Sequence, residues 1–168
     1  MSYRVIEPKD LGENVFELIG DKWMLITAVK EGAANTMTAS WGGMGIMWAK
    51  PVSFCVVRPV RYTYEFIEPS DYYTLSFFPD GYKPALNLLG TKSGRDGDKI
   101  SEANLTPFDT ENNTVSFKEA NIIMVCKKLY YHDVAPDKFI DGKFDNFYPE
   151  KDYHRMYFGE IVKCMVSE

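Results

Sequence analysis

Apolar and polar positions change period several times along the chain, and each change marks an element. Leu11, Val15, Leu18 and Ile19 recur at i, i+4, i+7 and i+8, the spacing of a short amphipathic helix. That helix hands over to "WMLITAV" (23–29), which is apolar on both faces and reads as a buried strand. "VSFCVV" (52–57) is a second buried run, and "YYTLSFF" (72–78) is β-rich, with Leu75 and Phe77 on one face. "KPALNLLG" has Pro84 near its start and Gly90 at its end, the asymmetry of a short helix. "TVSFKEANIIMVCKKLYYHDV" predicts one long or two shorter strands, and "RMYFGEIVKCMV" predicts the last. Between these two, "APDKFIDGKFDNFYPEKDY" is dense in Pro, Gly, Asp and Asn and reads as a loop with one helical turn.

One segment keeps the strand period with unusual residues. In "NTMTASWGG", alternation puts Thr36, Thr38 and Ser40 on one face and Met37, Ala39 and Trp41 on the other. The hydroxyl face is polar and shallow, and its plain reading is an exposed edge strand. At least six strands with few, short helices predict a mainly β chain, closed as an antiparallel barrel rather than built of βα units. With 168 residues and no repeat, linker or low-complexity tract, residues 1–168 form one expected domain, large enough to bury roughly 70% of its unfolded surface.

Composition narrows the function. Aromatics reach 15%, with 11 Tyr and 11 Phe, more than one small core requires. The net charge of −5 argues against a nucleic-acid or anionic-membrane surface, so any bound anion needs a local basic cluster. Cys55, Cys126 and Cys164 are odd in number, far apart and in no C-x-x-C pair, which suggests neither a disulfide framework nor zinc and fits a reducing cytoplasm. The N-terminal "MSYRVIEPKD" has no apolar signal core, and no run approaches the roughly 18 apolar residues of a membrane span. A soluble, cytoplasmic protein is expected.

The glycine-rich stretches "GGMG" and "GTKSGRDGDK" match neither G-x-G-x-x-G nor a phosphate loop ending in G-K-[ST]. His132 and His154 are the only histidines, so no metal site is expected, and no G-x-S-x-G or Cys/His dyad offers hydrolytic chemistry. The residues that stand out are "RPVRYTYEF", where Arg58 and Arg61 bracket a proline just after a buried strand, next to Tyr62 and Thr63. Guanidinium forks and hydroxyls suit a phosphate monoester, while a solvated basic turn is the competing reading. A second cluster, Lys92, Ser93, Arg95 and Lys99, could close over the same anion, unless Asp96 and Asp98 pair with its bases.

In order along the chain, "ITAVKEGAANTMTASWGG", "RPVRYTYEFI", "SGRDGDK" and "HRMYFGEIV" resemble the flavin reductase-like, FMN-binding split-barrel proteins, in particular the flavoredoxin and ferric reductase branch. The resemblance runs from about Trp23 to Ile161. It implies a homodimer with one FMN per subunit near the dimer interface, the isoalloxazine ring lying against the hydroxyl strand, where small side chains let a flat ring approach the backbone. Carried over residue by residue, it implies flavin contacts at Asn35, Thr36, Thr38, Ala39, Ser40 and Trp41, and phosphate contacts at Arg58, Arg61, Tyr62 and Thr63, with Ser93 and Lys99 joining them. Lys99 is the first candidate for a positive group beside the flavin N1 and C2 carbonyl. His154, Tyr157 and Phe158 match the C-terminal strand motif, facing either the flavin or the dimer seam, or serving structure alone.

The chain departs from the family where two-component reductases carry a late G-D-H-type motif for the nicotinamide: the corresponding region reads "VAPDKFIDGKF", without that histidine. The expectation is therefore an FMN-dependent oxidoreductase or flavoredoxin, with NADH or NADPH as electron donor left open and a redox partner protein or small-molecule acceptor downstream. The alternative is a barrel that binds FMN or another planar ligand without turnover.

Overall fold

The computed structural model describes residues 2–168. Ten strands run β1 (Tyr3–Ile6), β2 (Met24–Lys30), β3 (Ala33–Ala39), β4 (Gly42–Met47), β5 (Lys50–Val57), β6 (Tyr72–Phe77), β7 (Pro107–Thr110), β8 (Thr114–Phe117), β9 (Ile122–Asp133) and β10 (Arg155–Ser167). Short α-helices interrupt them: α1 (Tyr62–Ile67), α2 (Lys83–Thr91) and α3 (Lys99–Glu102).

Seven of the strands form one antiparallel sheet in the order β3-β2-β6-β9-β10-β5-β4, and β1 adds to β10. The two end strands, β3 and β4, are consecutive in the chain and joined only through Ser40 and Trp41. The β3 ladder stops at the pair Met24–Ala39, and the β4 ladder starts at Gly42–Cys55. The sheet therefore closes on itself through a covalent corner and not through hydrogen bonds, which makes a split barrel.

The strand β4 went unread because three glycines in "GGMGIM" hide its period. For two of them the reason lies on the neighbouring strand: a Cβ on Gly43 would lie 2.4 Å from the Phe54 ring, and one on Gly42 would lie 2.5 Å from the Phe54 carbonyl oxygen. The expected N-terminal helix is shorter and wider than its spacing suggests. Residues Glu17–Lys22 wind as a π-helical turn that buries Leu18 and Ile19 and ends at Trp23 with φ 70°. "TVSFKEANIIMVCKKLYYHDV" resolves into two strands, β8 and β9, split at Lys118–Asn121.

Two apolar layers hold the barrel. Met24, Ile26, Cys55, Val57, Tyr73 and Ile161 fill its interior. Leu25, Leu86, Leu89, Phe117, Val125 and Met165 form a second layer where α2 and the β7–β8 hairpin cover its outside. Each fully buried Leu there stabilises the fold by about 1.5–3 kcal/mol relative to exposure.

The hydroxyl face of β3 belongs to this second layer and is not an exposed edge. Thr36, Thr27 and Thr74 sit in register across β3, β2 and β6. The Thr36 and Thr27 hydroxyls bond each other at 2.9 Å, Thr74 donates to the Val115 carbonyl at 2.6 Å, and Ser76 bonds Ser116 at 2.8 Å. Small hydroxylated side chains let the hairpin and α2 come down close on the sheet while every buried O–H finds a partner. Thr38 shows the same closeness, donating to the Leu86 carbonyl while Gly90 approaches so far that a Cβ would stand 3.2 Å from the Thr38 Cβ.

Candidate functional site

Where β3 and β5 end and β10 begins, the barrel corner opens into a cavity of about 270 Å³. It is lined by Ala39, Ser40, Trp41, Arg58, Arg61 and His154, among others. A smaller cavity of about 160 Å³ holds Arg61, Thr63, Lys92, Ser93, Arg95 and Lys99. Arg61 lines both, so one residue joins a slot of mixed lining to a compact polar pocket.

The compact pocket concentrates positive charge that the protein leaves unanswered. Lys99 is only 3% exposed, and its ammonium donates to the carbonyls of Leu89 at 3.0 Å and Lys92 at 2.9 Å. Burial, reinforced by the neighbouring Arg61, pulls its pKa down to about 8. Burial and the nearby Arg58 likewise lower Arg61 below the usual guanidinium range. Among the described residues no carboxylate pairs with either. Two desolvated cations held together without an anion cost stability, and such a pair has the chemistry to take an anion. The surrounding hydroxyls fit the same role. Thr63 accepts from the Asn35 side-chain amide at 2.7 Å, and Ser93 accepts from the Arg95 backbone N–H at 3.2 Å, which leaves both hydroxyl protons to donate.

The other bases of the second cluster are already engaged, although not by Asp96 and Asp98. Lys92 pairs with Glu102 at 2.6 Å, Arg95 with Glu65, and Asp98 caps α3 through the Ser101 N–H at 3.1 Å. Arg95 also stacks over Tyr62, 4.7 Å from the ring centroid, and closes the loop onto α1. The glycine between them is required: a Cβ on Gly94 would lie 2.2 Å from the Asn35 Oδ1.

The structure sorts the expected site residues into three groups. Thr38, Ala39, Ser40 and Trp41 line the larger cavity, while Tyr62, Thr63, Ser93 and Lys99 line the smaller, with Arg61 between. Asn35 and Thr36 are buried behind these walls. Asn35 ties β3 to α1, and Thr36 spends its hydroxyl on Thr27 and the Ile26 carbonyl. Arg58 faces the larger cavity only: its Nη1 donates to both Asp152 carboxylate oxygens at 2.9 and 3.0 Å, and its Nη2 donates to the Phe147 carbonyl at 2.8 Å. That removes it from the anion pocket, because the acidic strap before β10 already satisfies it. Lys99 lies in the anion pocket and not along the slot, so the charge that reaches both is Arg61.

His154 closes the slot opposite the strand. Its ring lies 5.2 Å from Trp41, and its Nδ1 is 2.8 Å from the Tyr148 hydroxyl. Burial and the Arg58 charge push its pKa down to about 4, against a smaller opposing pull from Asp152, so it is neutral at physiological pH. Phe147 completes the rim edge-on to Trp41 at 5.5 Å.

The flavin reductase like domain matches residues 17–168 of this chain, nearly its whole length. The chain belongs to that family, and with it to the flavin-binding redox proteins. Solved structures agree on the fold. The FMN-binding domain of a flavin reductases-like enzyme from Shewanella baltica OS155 superposes with a TM-score of 0.72 at 17% identity, covering 98% of this chain and 77% of that one. Flavoredoxin of Desulfovibrio vulgaris (Miyazaki F) gives 0.69 at 21%, over 96% and 78%. The FMN-binding protein of Thermus thermophilus with bound p-hydroxybenzaldehyde gives 0.69 at 19%, over 98% and 82%. A search of curated proteins finds no sequence match.

In this flavin reductase-like chain, sequence reading missed Tyr148 and Asp152, which hold the two polar groups on the far side of the slot. Both lie in a stretch read as loop, and the density of Phe and Tyr in "KFDNFYPEKDY" was the available signal. A solvated loop has no use for so many rings. A histidine does line the slot, but it is His154, just after that stretch.

Proposed function

We propose that this protein binds FMN and passes electrons through it, with the phosphate in the Arg61–Lys99 pocket and the ring in the adjoining slot. The observation that carries this reading is the pair of desolvated, carboxylate-free cations beside a cavity of ring-like size. Arg61 and Lys99 would hold the phosphate dianion through charge-assisted bonds, assisted by Thr63 and Ser93. Ala39 and Ser40 offer a low floor for a flat ring, and Trp41 and His154 limit access from outside. Bound flavin supplies the electron chemistry, accepting and releasing one or two electrons. The chain supplies orientation and charge.

Purification tests this directly. A yellow protein whose visible bands bleach on reduction is expected; a colourless protein that takes up no added FMN would leave only the second reading, a barrel for some other planar ligand. Anaerobic mixing of the FMN-loaded protein with NADH and with NADPH separates a reductase, which bleaches within seconds, from a carrier that waits for a protein donor. The Thermus thermophilus protein was solved with p-hydroxybenzaldehyde, and a small planar carbonyl compound is a fitting acceptor class for this protein too.

The reading includes a homodimer. Phe54, Phe158 and Tyr130 form a cross-strand row on the barrel exterior, with centroids 5.7 and 5.8 Å apart, and Trp48 extends it at 6.1 Å from Tyr130. Ile46, Trp48 and Tyr130 are strongly exposed beside it, and Trp48 and Ala49 take φ of 51° and 58°, costly for such residues, to present the hairpin tip. A second copy covering this row would take these rings out of water. Sedimentation of the protein at micromolar concentration should give twice the chain mass.

A further inference from the structure

The N-terminal arm leaves two apolar features unmatched, a hollow and a knob. The hollow is a cavity of about 440 Å³ between the arm and the barrel, lined chiefly by Leu11, Val15, Met44, Val52, Met124 and Ile161. It is separate from the flavin slot, which touches β5 at Val56 where this cavity touches it at Val52, roughly 13 Å along the strand. Gly45 lines it as well, and nothing inside the chain requires that glycine. Its φ is not positive, and a Cβ there, unlike one on Gly42 or Gly43, would meet no atom within 4 Å. A side chain at Gly45 would only narrow the hollow, and a glycine within a strand marks a place of close approach.

The knob is Phe16, 89% exposed beside Val15 of the cavity wall. It is held firmly: Asn14 Oδ1 accepts from the Phe16 N–H at 3.1 Å, Asn14 Nδ2 donates to Glu17 at 3.1 Å, and the Asn14 carbonyl accepts from the Leu18 N–H at 2.8 Å. A ring fixed in this way loses little freedom on docking. A chain that carries a knob next to its own socket is self-complementary about a two-fold axis, which lets each copy fill the other. The surface is also continuous with the aromatic row, since Ile46, 77% exposed, lines the cavity and the β4–β5 hairpin leads from it to Trp48. Exposed Glu7 and Lys9 border the same cavity. Among the described residues the arm's one ion pair is Glu13–Lys22, so Glu7 of one copy and Lys9 of the other are open to pair as a charged rim around an apolar centre.

We propose that the cavity is a socket for Phe16 of a second copy, so that two chains lock together by exchanging phenyl rings. A cavity of roughly 150 Å³ already holds a benzene ring, and this one has room for it. The inference rests on the homodimer reading and adds a contact that the aromatic row alone does not require.

Dimer dissociation, followed by sedimentation of the full chain over a dilution series, tests both halves of the lock. Phe16→Ala, at an exposed position, should weaken the dimer by at least about 30-fold, the loss expected of a central aromatic anchor. Phe16→Leu, which keeps an apolar knob, should fall between. Gly45→Leu fills the socket from within and should weaken the dimer in the same direction, with circular dichroism showing an unchanged strand signal. A dimer as tight as wild type in either Phe16→Ala or Gly45→Leu would overturn the proposal and leave the aromatic row to carry the dimer. A wild-type chain that is monomeric at micromolar concentration would instead remove the homodimer reading, and the socket with it. FMN uptake, read separately by absorbance, keeps the flavin reading apart from both.

Discussion

Arg58 and Arg61 stand three residues apart after the same buried strand, and the sequence treats them alike. The strap sends Asp152 and the Phe147 carbonyl to Arg58, whereas Arg61 meets only another cation and the desolvating wall of α1. The first is a structural clamp on the segment that carries His154. The second, with Lys99, carries charge that no carboxylate among the described residues answers. The difference teaches that a basic motif identifies candidates, while the location of carboxylates elsewhere in the fold decides which of them is free.

Breaking the unanswered pair should have the largest effect. Charge-assisted bonds are worth roughly 1.5–3 kcal/mol each, so Arg61→Ala should weaken FMN about 10- to 150-fold and leave riboflavin, which lacks the phosphate, nearly unchanged. Equal losses for both flavins, by fluorescence titration, would move the phosphate elsewhere.

Acidity sharpens the comparison next. Lys99 is charged below about 8 and loses its proton above it, so FMN affinity should fall as pH rises through about 8, by at most about tenfold per pH unit. Riboflavin affinity should stay flat over the same range. A Lys99→Met variant should show no such step, and a persisting step would assign it to another group.

Cutting the clamp should do less to binding and more to order. Arg58→Ala leaves Asp152 without its partner, and because the pair is partly exposed the loss of stability should be about 1–2 kcal/mol. Proteolysis between Val134 and Tyr153 should quicken, while the ratio of FMN to riboflavin affinity stays at its wild-type value. A fall in that ratio would return Arg58 to the anion pocket.

The smallest effect concerns the same strap in acid. His154 has a folded-state pKa of about 4 against an ordinary 6.5, so between these values the unfolded chain binds a proton that the folded chain refuses. Stability should therefore decline as pH falls from 6.5 toward 4, and His154→Gln should flatten that slope in thermal melts. An unchanged slope would place the acid sensitivity on other groups.

How far the chain could be read without coordinates followed the range of the forces involved. Local periodicity found β2, β5, β6 and α2 close to their true limits, because burial on one or both faces writes directly into the pattern. It missed β4, two of whose glycines answer to Phe54 on another strand, and its plain reading of the Thr36–Thr38 face as an edge could not see a covering hairpin some eighty residues on. The anion pocket was half visible as basic and hydroxyl residues. Its selectivity was not, since Asp152, Glu65 and Glu102, which neutralise the other bases, come from three separate elements.

The central claim is that Arg61 and Lys99 are kept free for a phosphate. The most direct measurement is a side-by-side titration of the ligand-free wild-type protein with FMN and with riboflavin at neutral pH. Two charge-assisted contacts predict FMN binding tighter by at least about tenfold. Equal affinities for the two flavins would contradict it.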